Sequence, residues 1–293
     1  MRKLLSFLLV LAILYLGLEY KDEIREYVLI NFVNENLIVR EADNIYAKDS
    51  SLYEETDDYY PENREDIVNI FYTALNGGWD KVVFFCTSSY PTCIDDVVSL
   101  SGSSDFNKVN NYVHPYNSYK KILLEYNSMG KVQISIIKLY SEADIVALET
   151  KANEIIANNV NNNMSLTDKI KVLHDYIINN TVYDEEAADE IESGLVAESN
   201  AYKANGALIE GSAICGGYTD AMAILLSKLG IDNYKISSTK HVWNYVYVNN
   251  TWLHLDLTWD DPVTNTGENL LLHTFFLVTD DELKKLDTTE HSY

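Results

Sequence analysis

The sequence has few of the residues that interrupt or cross-link a chain. Its 293 residues include four prolines, twelve glycines and three cysteines. So few prolines and glycines exclude collagen-like and proline-rich architectures, and three cysteines are too few for a disulfide scaffold. Hydrophobic residues make up 47% of the chain and charged residues 23%. These are ordinary values for a globular protein, so disorder over the whole chain is excluded.

Basic residues are also scarce. The chain has 22 Lys and Arg residues against 45 Asp and Glu residues, which leaves a formal net charge of −23. A surface this acidic repels phosphate, so nucleic acid and anionic lipid headgroups are excluded as the main partners. The length suffices for one large domain, or for a core with a smaller domain attached, without metals or many disulfides.

One long apolar run follows Arg2 and Lys3 and extends from Leu4 to Leu18. As a helix it would span about 22 Å, which is short of a bilayer core of about 30 Å. That length favours a cleaved signal peptide, but no small-residue cleavage site follows the run, which favours an uncleaved signal-anchor. Both interpretations predict that residues 1–20 send the chain out of the cytoplasm, membrane-anchored or secreted. A buried core helix is the third alternative.

Three further segments follow from composition and periodicity. Residues 21–64 are interpreted as a stalk helix and an acidic linker, 65–142 as an N-terminal mixed α/β region, and 143–293 as a C-terminal domain with sharper helical patterns. The patterns predict helices over 66–75, 143–159 and 167–179, and strands over 81–85 and 131–140. The acidic stretch 184–194 is interpreted as a solvated loop.

Cys86 and Cys93 flank a turn-forming segment that contains Pro91. Outside the cytoplasm the two thiols could oxidise to a disulfide. Two buried thiols are the alternative, and the residues do not decide between them. If the two form a bond, Cys215 is the unpaired thiol.

Cys215 lies at the start of a strongly predicted helix. Apolar residues recur there at steps of four, three and four, and Gly230 is expected to end the helix. The first-turn N–H groups and the helix dipole favour a thiolate at Cys215. Gly216 and Gly217 are interpreted as leaving room for a substrate beside the sulfur. The periodic residues are Tyr218, Met222, Leu225 and Leu229.

The runs 241–248 and 251–259 predict a hairpin, because Asn249-Asn250 suits a two-residue type I′ turn. Pairing Val248 with Thr251 places Trp243 opposite Asp256, with His241 as a diagonal neighbour of that carboxylate. The predicted site face carries His241, Trp243, Tyr245, Tyr247, Trp252, His254 and Asp256. The predicted core face carries Val242, Val246, Val248, Leu253, Leu255 and Leu257.

Cys215, His241 and Asp256 are the three residue types of a thiol-based triad. A histidine beside the sulfur takes its proton, and a carboxylate holds the imidazole in the required tautomer and stabilises its charge. The sequence therefore predicts these three residues as the catalytic site, with no cofactor and no metal. His174 is interpreted as structural, and His254 as the strand partner of Tyr245.

Three ordered motifs, GSAICGGYTDAMAILLSKLGI, HVWNYVYV and TWLHLDLTWDDP, carry a family resemblance. With KIKVLHDYIINNTVYD upstream and HTFFLVTDDEL downstream, residues 143–293 resemble the transglutaminase-like superfamily in its bacterial extracytoplasmic form. The resemblance implies an α+β, papain-like core in which a Cys-headed helix packs on an antiparallel sheet. It also implies that Cys215 is the nucleophile, His241 the general base and acid, and Asp256 the orienting carboxylate.

The resemblance implies acyl transfer or hydrolysis at amide bonds of proteins or peptides, through a thioester. Backbone N–H groups, including that of Cys215, are expected to bind the oxyanion; Tyr202 is either a second donor or a packing residue. Two alternatives stay open. One is a cysteine peptidase or cell-wall peptide hydrolase, and the other is an inactive adhesion or scaffold module with the same fold.

Overall fold

The structure, a computed structural model, describes residues 10, 14–21, 24, 44–193, 199–263 and 270–293. Most of the predicted targeting segment 1–20 and of the predicted stalk helix lies outside these residues. Within the described part of the chain, no helix combines the length and apolar character needed to cross a bilayer. Export and anchoring therefore stay predictions from the sequence.

From residue 44 onward the described residues form eight α-helices and nine β-strands. The helices are α1 (Arg64–Asn76), α2 (Cys93–Ser101), α3 (Ser104–Val109), α4 (Glu142–Asn159), α5 (Leu166–Asn180), α6 (Glu185–Glu192), α7 (Cys215–Lys228) and α8 (Asp280–Leu286). The strands are β1 (Lys81–Phe85), β2 (Tyr119–Tyr126), β3 (Lys131–Lys138), β4 (Val182–Tyr183), β5 (Ser212–Ala213), β6 (Asn233–Ser237), β7 (Val242–Val248), β8 (Thr251–Leu255) and β9 (Phe276–Val278).

The chain divides into two compact units. One contains residues 49–107 and 119–137 together with the described residues before 46, and the other contains 46–48, 108–118 and 138–293. The predicted domain boundaries at 20, 64 and 142 stay predictions.

The first unit is built on a three-stranded sheet with the strand order β1-β3-β2. β1 and β3 are antiparallel, with Val83 opposite Gln133. Asn63 caps α1 in a capping box with Asp66, and the helix buries its apolar side chains because they recur on one face. The predicted helix over 66–75 and both predicted strands are present, with ends that differ by one or two residues.

Cys86 and Cys93 are joined by a disulfide, with their Cα atoms 5.6 Å apart. Cys86 follows β1 and Cys93 opens α2, and both side chains are buried. The structure therefore settles the alternative that the sequence left open, and Cys215 is the free cysteine of the three.

Removal of this disulfide is expected to lower the free energy of unfolding by about 2.5 kcal/mol, because the bridge closes a short loop and so restricts the unfolded chain. The measurement is urea unfolding of the protein with both cysteines replaced by alanine, and of the reduced wild-type chain as its matched control. An unchanged midpoint in both samples would contradict a stabilising role.

In the second unit, α7 packs against the antiparallel sheet β6-β7-β8-β9. The helix is apolar on most sides and is buried from Gly217 to Leu226, as expected for a helix covered by other elements all round. Gly230 has a φ of 68° and follows the last turn. The predicted arrangement, a Cys-headed helix on an antiparallel sheet, is present.

The hairpin of β7 and β8 has the predicted turn and register. Asn249 and Asn250 have φ angles of 50° and 65°, as a type I′ turn requires, and Val248 lies opposite Thr251. The predicted pairing of Trp243 with Asp256 is wrong, because the ladder stops one pair earlier. Trp243 pairs only with β6, and the Asp256 N–H donates to the Phe275 carbonyl.

The predicted site face of the hairpin is covered at its centre. Trp243 and His254 are almost fully buried, and Trp243 packs in a cluster with Ile236, Phe275 and Leu283. Residues 275–293 fold back over Trp243 and His254 on this face, whereas Tyr247 near the turn is exposed.

The interpretation of 184–194 as a loop is wrong for residues 185–192, which form α6. Asp184 caps this helix by accepting from the Ala187 N–H, and Glu185 and Glu186 in the first turn suit the positive end of the dipole. The acidic composition that suggested a loop is thus a helix-start signal.

Candidate active site

Cys215 is the first residue of α7 and is half-buried. The preceding residue, Ile214, has an extended backbone and provides no side-chain cap. The glycines after the cysteine serve packing rather than substrate access. A Cβ at Gly216 would lie 2.7 Å from the Tyr202 carbonyl oxygen, so the close approach of residues 200–202 requires glycine here.

His241 immediately precedes β7 and is buried. Its backbone N–H donates to the Ser238 hydroxyl, 3.2 Å away, and its carbonyl accepts from the Ser238 N–H. The imidazole stacks on Trp243, with ring centroids 5.6 Å apart. Its Nε2 lies 2.6 Å from Asp256 Oδ2, so Nδ1 is the ring nitrogen left for the Cys215 sulfur.

The ring of His241 is strongly basic. Burial opposes its charged form, but the charge of Asp256, the hydrogen bond that the ring donates to that carboxylate and the interaction with Cys215 outweigh burial and raise the pKa of His241 to about 10. At neutral pH the ring is therefore an imidazolium between a carboxylate and the sulfur, which is the environment that favours a thiolate.

Asp256 lies just after β8 and is 1% exposed. Burial alone would raise its pKa, but the charges and hydrogen bonds of His241 and His291 lower it to about 2. Its Oδ1 accepts from the backbone N–H groups of Thr258 and Trp259 at 3.0 and 3.2 Å. The carboxylate is thus ionised and held in one orientation.

His291 is a site residue that the sequence analysis missed. Its Nε2 lies 2.8 Å from Asp256 Oδ2, the same oxygen that His241 contacts. The only local signal is Asp287 four residues before it, which bonds the other ring nitrogen. No short-range pattern indicates that residues 287–293 fold back over Asp256.

Cys215 and His241 line one cavity of about 490 Å³. Helix α6 contributes Ala188, Asp189 and Ile191 to its wall, and Glu290 lies on another side. Part of the wall is therefore apolar, and two exposed carboxylates lie beside it. The cavity can hold a side chain or a short peptide segment next to the sulfur.

His174 and His254 both have structural partners. His174 is fully buried, with Nδ1 2.9 Å from Asp175 and Nε2 3.2 Å from Asp260. His254 pairs with Tyr245, as predicted, and its Nδ1 accepts from the Trp243 indole N–H at 2.9 Å. Tyr202 packs beside a small cluster that includes Ile214. Neither histidine lines the cavity that holds Cys215.

Two groups among the described residues bring three potential metal ligands within 4.8 Å of one another. They are His174, Asp175 and His273, and His241, Asp256 and His291. In both groups the ring nitrogens bond the carboxylate directly, and these bonds already account for the geometry. We assign no metal to either group.

Residues 152–257 match the family model described as Transglutaminase-like superfamily. Among solved structures, "Crystal structure of a TGase" is 16% identical, with a TM-score of 0.39, and the match covers 59% of this chain and 50% of that one. A "Putative Cysteine Protease from Cytophaga hutchinsonii" is 13% identical, with a TM-score of 0.29 and coverages of 47% and 61%. The chain thus spans less than two thirds of either. The comparison with curated proteins gave no match.

The fold and the site define a mixed α/β protein in which a cysteine at a helix start shares a cavity with a histidine bonded to a buried carboxylate. Residues 152–257 match the transglutaminase-like superfamily, as the motifs predicted, and this range includes Cys215, His241 and Asp256. The catalytic roles of these three residues stay predictions.

Proposed function

We propose that the protein is an exported thiol enzyme that transfers acyl groups from amide bonds of proteins or peptides to an amine or to water. The observation that carries the proposal is the shared cavity of Cys215 and His241, with His241 bonded to Asp256. A thiol beside an imidazole that is itself bonded to a carboxylate is the arrangement of an activated nucleophile, its base and the group that orients the base.

In the first half-reaction, the Cys215 sulfur attacks the amide carbonyl carbon and forms the C–S bond. The carbonyl oxygen becomes an oxyanion, for which the N–H groups at the uncapped start of α7 are suited donors. His241 then gives its proton to the amide nitrogen, the C–N bond breaks, and ammonia or an amine leaves. A thioester on Cys215 and a neutral imidazole remain.

In the second half-reaction, the neutral imidazole takes a proton from the incoming amine or water as that nucleophile attacks the thioester. Acylation prepares His241 for this role, because Cys215 contributes to the raised pKa of the ring and an acylated sulfur carries no charge. The pKa of His241 therefore falls in the thioester form. The C–S bond then breaks and the proton returns to the Cys215–His241 pair.

The cavity wall supports peptide substrates. Ala188, Ile191 and Ile214 offer an apolar surface next to the sulfur, whereas Asp189 and Glu290 place negative charge beside it and Lys240 contributes one positive charge. An apolar wall suits the stem of a side chain, and the carboxylates suit a protonated amine such as that of lysine. A cationic acyl acceptor is therefore favoured over an acidic one.

The proposed location outside the cytoplasm rests on the N-terminal sequence pattern. The disulfide between Cys86 and Cys93 supports it, because structural disulfides persist in oxidising compartments.

The test is product analysis by mass spectrometry. The full-length protein is incubated with a glutamine-containing peptide, with and without a primary amine. We expect a thioester adduct on the Cys215 peptide and an amine conjugate, or a gain of about 1 Da in water alone as the amide becomes an acid. Cleaved peptide would identify the runner-up, a cysteine peptidase or cell-wall peptide hydrolase. An adduct on another residue would overturn the site assignment.

An inactive scaffold module is the competing class. It has no need for an ionised carboxylate and an imidazolium that are both buried beside a thiol, since burying charge is costly. Alkylation separates the two classes. An activated Cys215 reacts rapidly with iodoacetamide at pH 6, whereas the thiol of an inactive module reacts no faster than a free cysteine.

A further inference from the structure

Asp256 has more partners than an orienting carboxylate requires. Its Oδ1 accepts from two backbone N–H groups, and those bonds already fix the plane of the group. Its Oδ2 lies 2.6 Å from His241 Nε2 and 2.8 Å from His291 Nε2. One carboxylate oxygen is therefore shared between two imidazoles, of which only His241 lines the cavity.

His291 is held as firmly as the carboxylate it contacts. The ring is fully buried and stacks on Phe275 with centroids 5.1 Å apart. Trp243 and Trp259 each make a T-shaped contact with it. Its Nδ1 lies 3.0 Å from Asp287 Oδ2, and its backbone N–H donates to the same oxygen at 2.9 Å. Both ring nitrogens therefore face carboxylates.

Asp287 is itself an ionised partner. Burial opposes its charge, but hydrogen bonds from Thr289 and His291 hold the pKa of this carboxyl well below its usual range. The N–H and hydroxyl of Thr289 donate to Oδ1, and the Glu290 N–H donates to Oδ2. An ionised carboxylate can only accept. Each ring nitrogen of His291 therefore faces an oxygen that can only accept a hydrogen bond, an arrangement that suits a ring protonated at both nitrogens.

Basic and acidic groups consequently alternate along one row. The order is the Cys215 sulfur, the His241 imidazolium, the Asp256 carboxylate, the His291 ring and the Asp287 carboxylate. Each charge lies next to its opposite, which compensates the cost of burying it. The two rings lie close, with centroids 5.3 Å apart, so the charge of His291 also acts on His241.

We propose that His291 is a positioning residue of this site, a second imidazole that fixes Asp256 and limits how tightly the carboxylate holds the proton of His241. The inference rests on the proposed function, in which His241 must release that proton before the thioester can be attacked. His291 touches neither the sulfur nor the cavity, so it acts only through Asp256 and through its charge.

The charged groups around His291 determine whether its replacement raises or lowers the proton affinity of His241. Asp287 faces it from its own segment, Asp256 from the loop after β8, and His241 from the start of β7; His254 on β8 is the next titratable group. If the ring is replaced by an uncharged one, His241 loses a neighbouring positive charge and keeps Asp256. The proton affinity of His241 then increases.

The direct test is nitrogen NMR of the histidine rings in the full-length chain. The variants are His291→Phe, which keeps an aromatic ring against Phe275, and His291→Gln, which keeps a neutral donor. In the wild-type protein we expect two protonated ring nitrogens on His291 at pH 7. In both variants we expect His241 to titrate about one pH unit higher. A neutral His291 tautomer, or an unchanged His241 titration, overturns the proposal.

The kinetic test uses p-nitrophenyl acetate as the acyl donor, because the steady state after its burst reports deacylation of Cys215. The deacylation rate should rise with pH as His241 loses its proton. In His291→Phe we expect this rise to occur about one pH unit higher, so that the rate at a given pH within the rise is roughly tenfold lower. Asp287→Asn keeps the imidazole of His291 but removes the charge of its partner. We expect it to shift the pH of the rise less than His291→Phe does.

Tyr293→Phe is the matched control. It removes the hydroxyl contact of the same segment with His254, 3.2 Å away, and leaves Asp256 untouched. An equal shift in Tyr293→Phe would assign the effect to packing of residues 287–293 and overturn the proposal. The NMR test does not require enzymatic activity. If the wild-type chain showed no acylation of Cys215, the proposed function would be refuted, but the titration of His241 would still test the role of His291.

Discussion

Replacement of Cys215 by alanine is expected to abolish the thioester adduct and to lower amide turnover by at least about 10⁴-fold, as loss of a nucleophile does in other covalent enzymes. No other free thiol can take over, because the remaining two cysteines form a disulfide. The measurement is the steady-state rate of amine incorporation and of hydrolysis, with intact-mass analysis for the adduct.

The fold should tolerate this change. Cys215 is half-buried at a helix start, and alanine removes one sulfur atom without an internal cavity, so the thermal midpoint is expected to stay within a few degrees. The matched control replaces Cys86 and Cys93 by alanine, which removes cysteines far along the chain from the matched domain and leaves Cys215 in place. Normal turnover by Cys215→Ala would refute the nucleophile assignment.

The parts of the site that the sequence predicted are those controlled by short-range rules. The Asn249-Asn250 turn accepts positive φ at both positions, and once its pairing is set, every opposed pair in the hairpin follows. In the same way, periodicity and Gly230 define α7 and place Cys215 at its start. These signals depend on residues that are close together in the chain, so they can be recognised from the sequence alone.

The errors lie where contacts distant in sequence decide. The alternation along β7 placed Trp243 on the face of the site, but it did not predict that residues 275–293 cover this face around Trp243. The alternation rule says which side chains share a face and says nothing of what packs on that face. His291 was missed for the same reason, because its partner Asp256 is 35 positions earlier in the chain.

Helix α6 was missed for a different reason. Its eight residues include five acidic ones, and the acidic side chains beyond the first turn repel one another and oppose the helix dipole. The cap at Asp184 and the burial of Ala187 compensate, and the second of these is a tertiary contact. The consequence is functional, because α6 supplies part of the cavity wall.

Replacement of Asp256 by asparagine is expected to lower turnover by about 10³–10⁴-fold while leaving the nucleophile in place, since the uncharged amide no longer holds the imidazole in its working tautomer. Burial lowers the pKa of His241, and the charge of Asp256 is the main opposing cause. Without that charge burial is opposed mainly by Cys215, so the pKa of His241 falls from about 10 toward its ordinary value of 6.5. Turnover and the ring titration are to be measured on the same samples.

The same substitution should change how stability depends on pH. A folded-state pKa raised above 6.5 stabilises the wild-type protein fully below pH 6.5, and this contribution is lost as the pH rises through about 10. Asp256, with its pKa lowered to about 2, contributes above pH 3.8 and loses its contribution as the pH falls through about 2. Urea unfolding between pH 6.5 and 10 should therefore show a decline in the wild type that Asp256→Asn lacks.

The matched control is Asp280→Asn, which removes a carboxylate from another histidine on the same hairpin, His254, 2.9 Å away. Asp280 is half-exposed and does not line the cavity, so turnover and the titration of His241 should stay at wild-type values. If Asp256→Asn kept the alkaline decline in stability, or if Asp280→Asn removed it, the pair of His241 and Asp256 would not be the group that titrates. Because the decline depends on one buried carboxylate beside an imidazole, it reports the geometry of the site without any substrate.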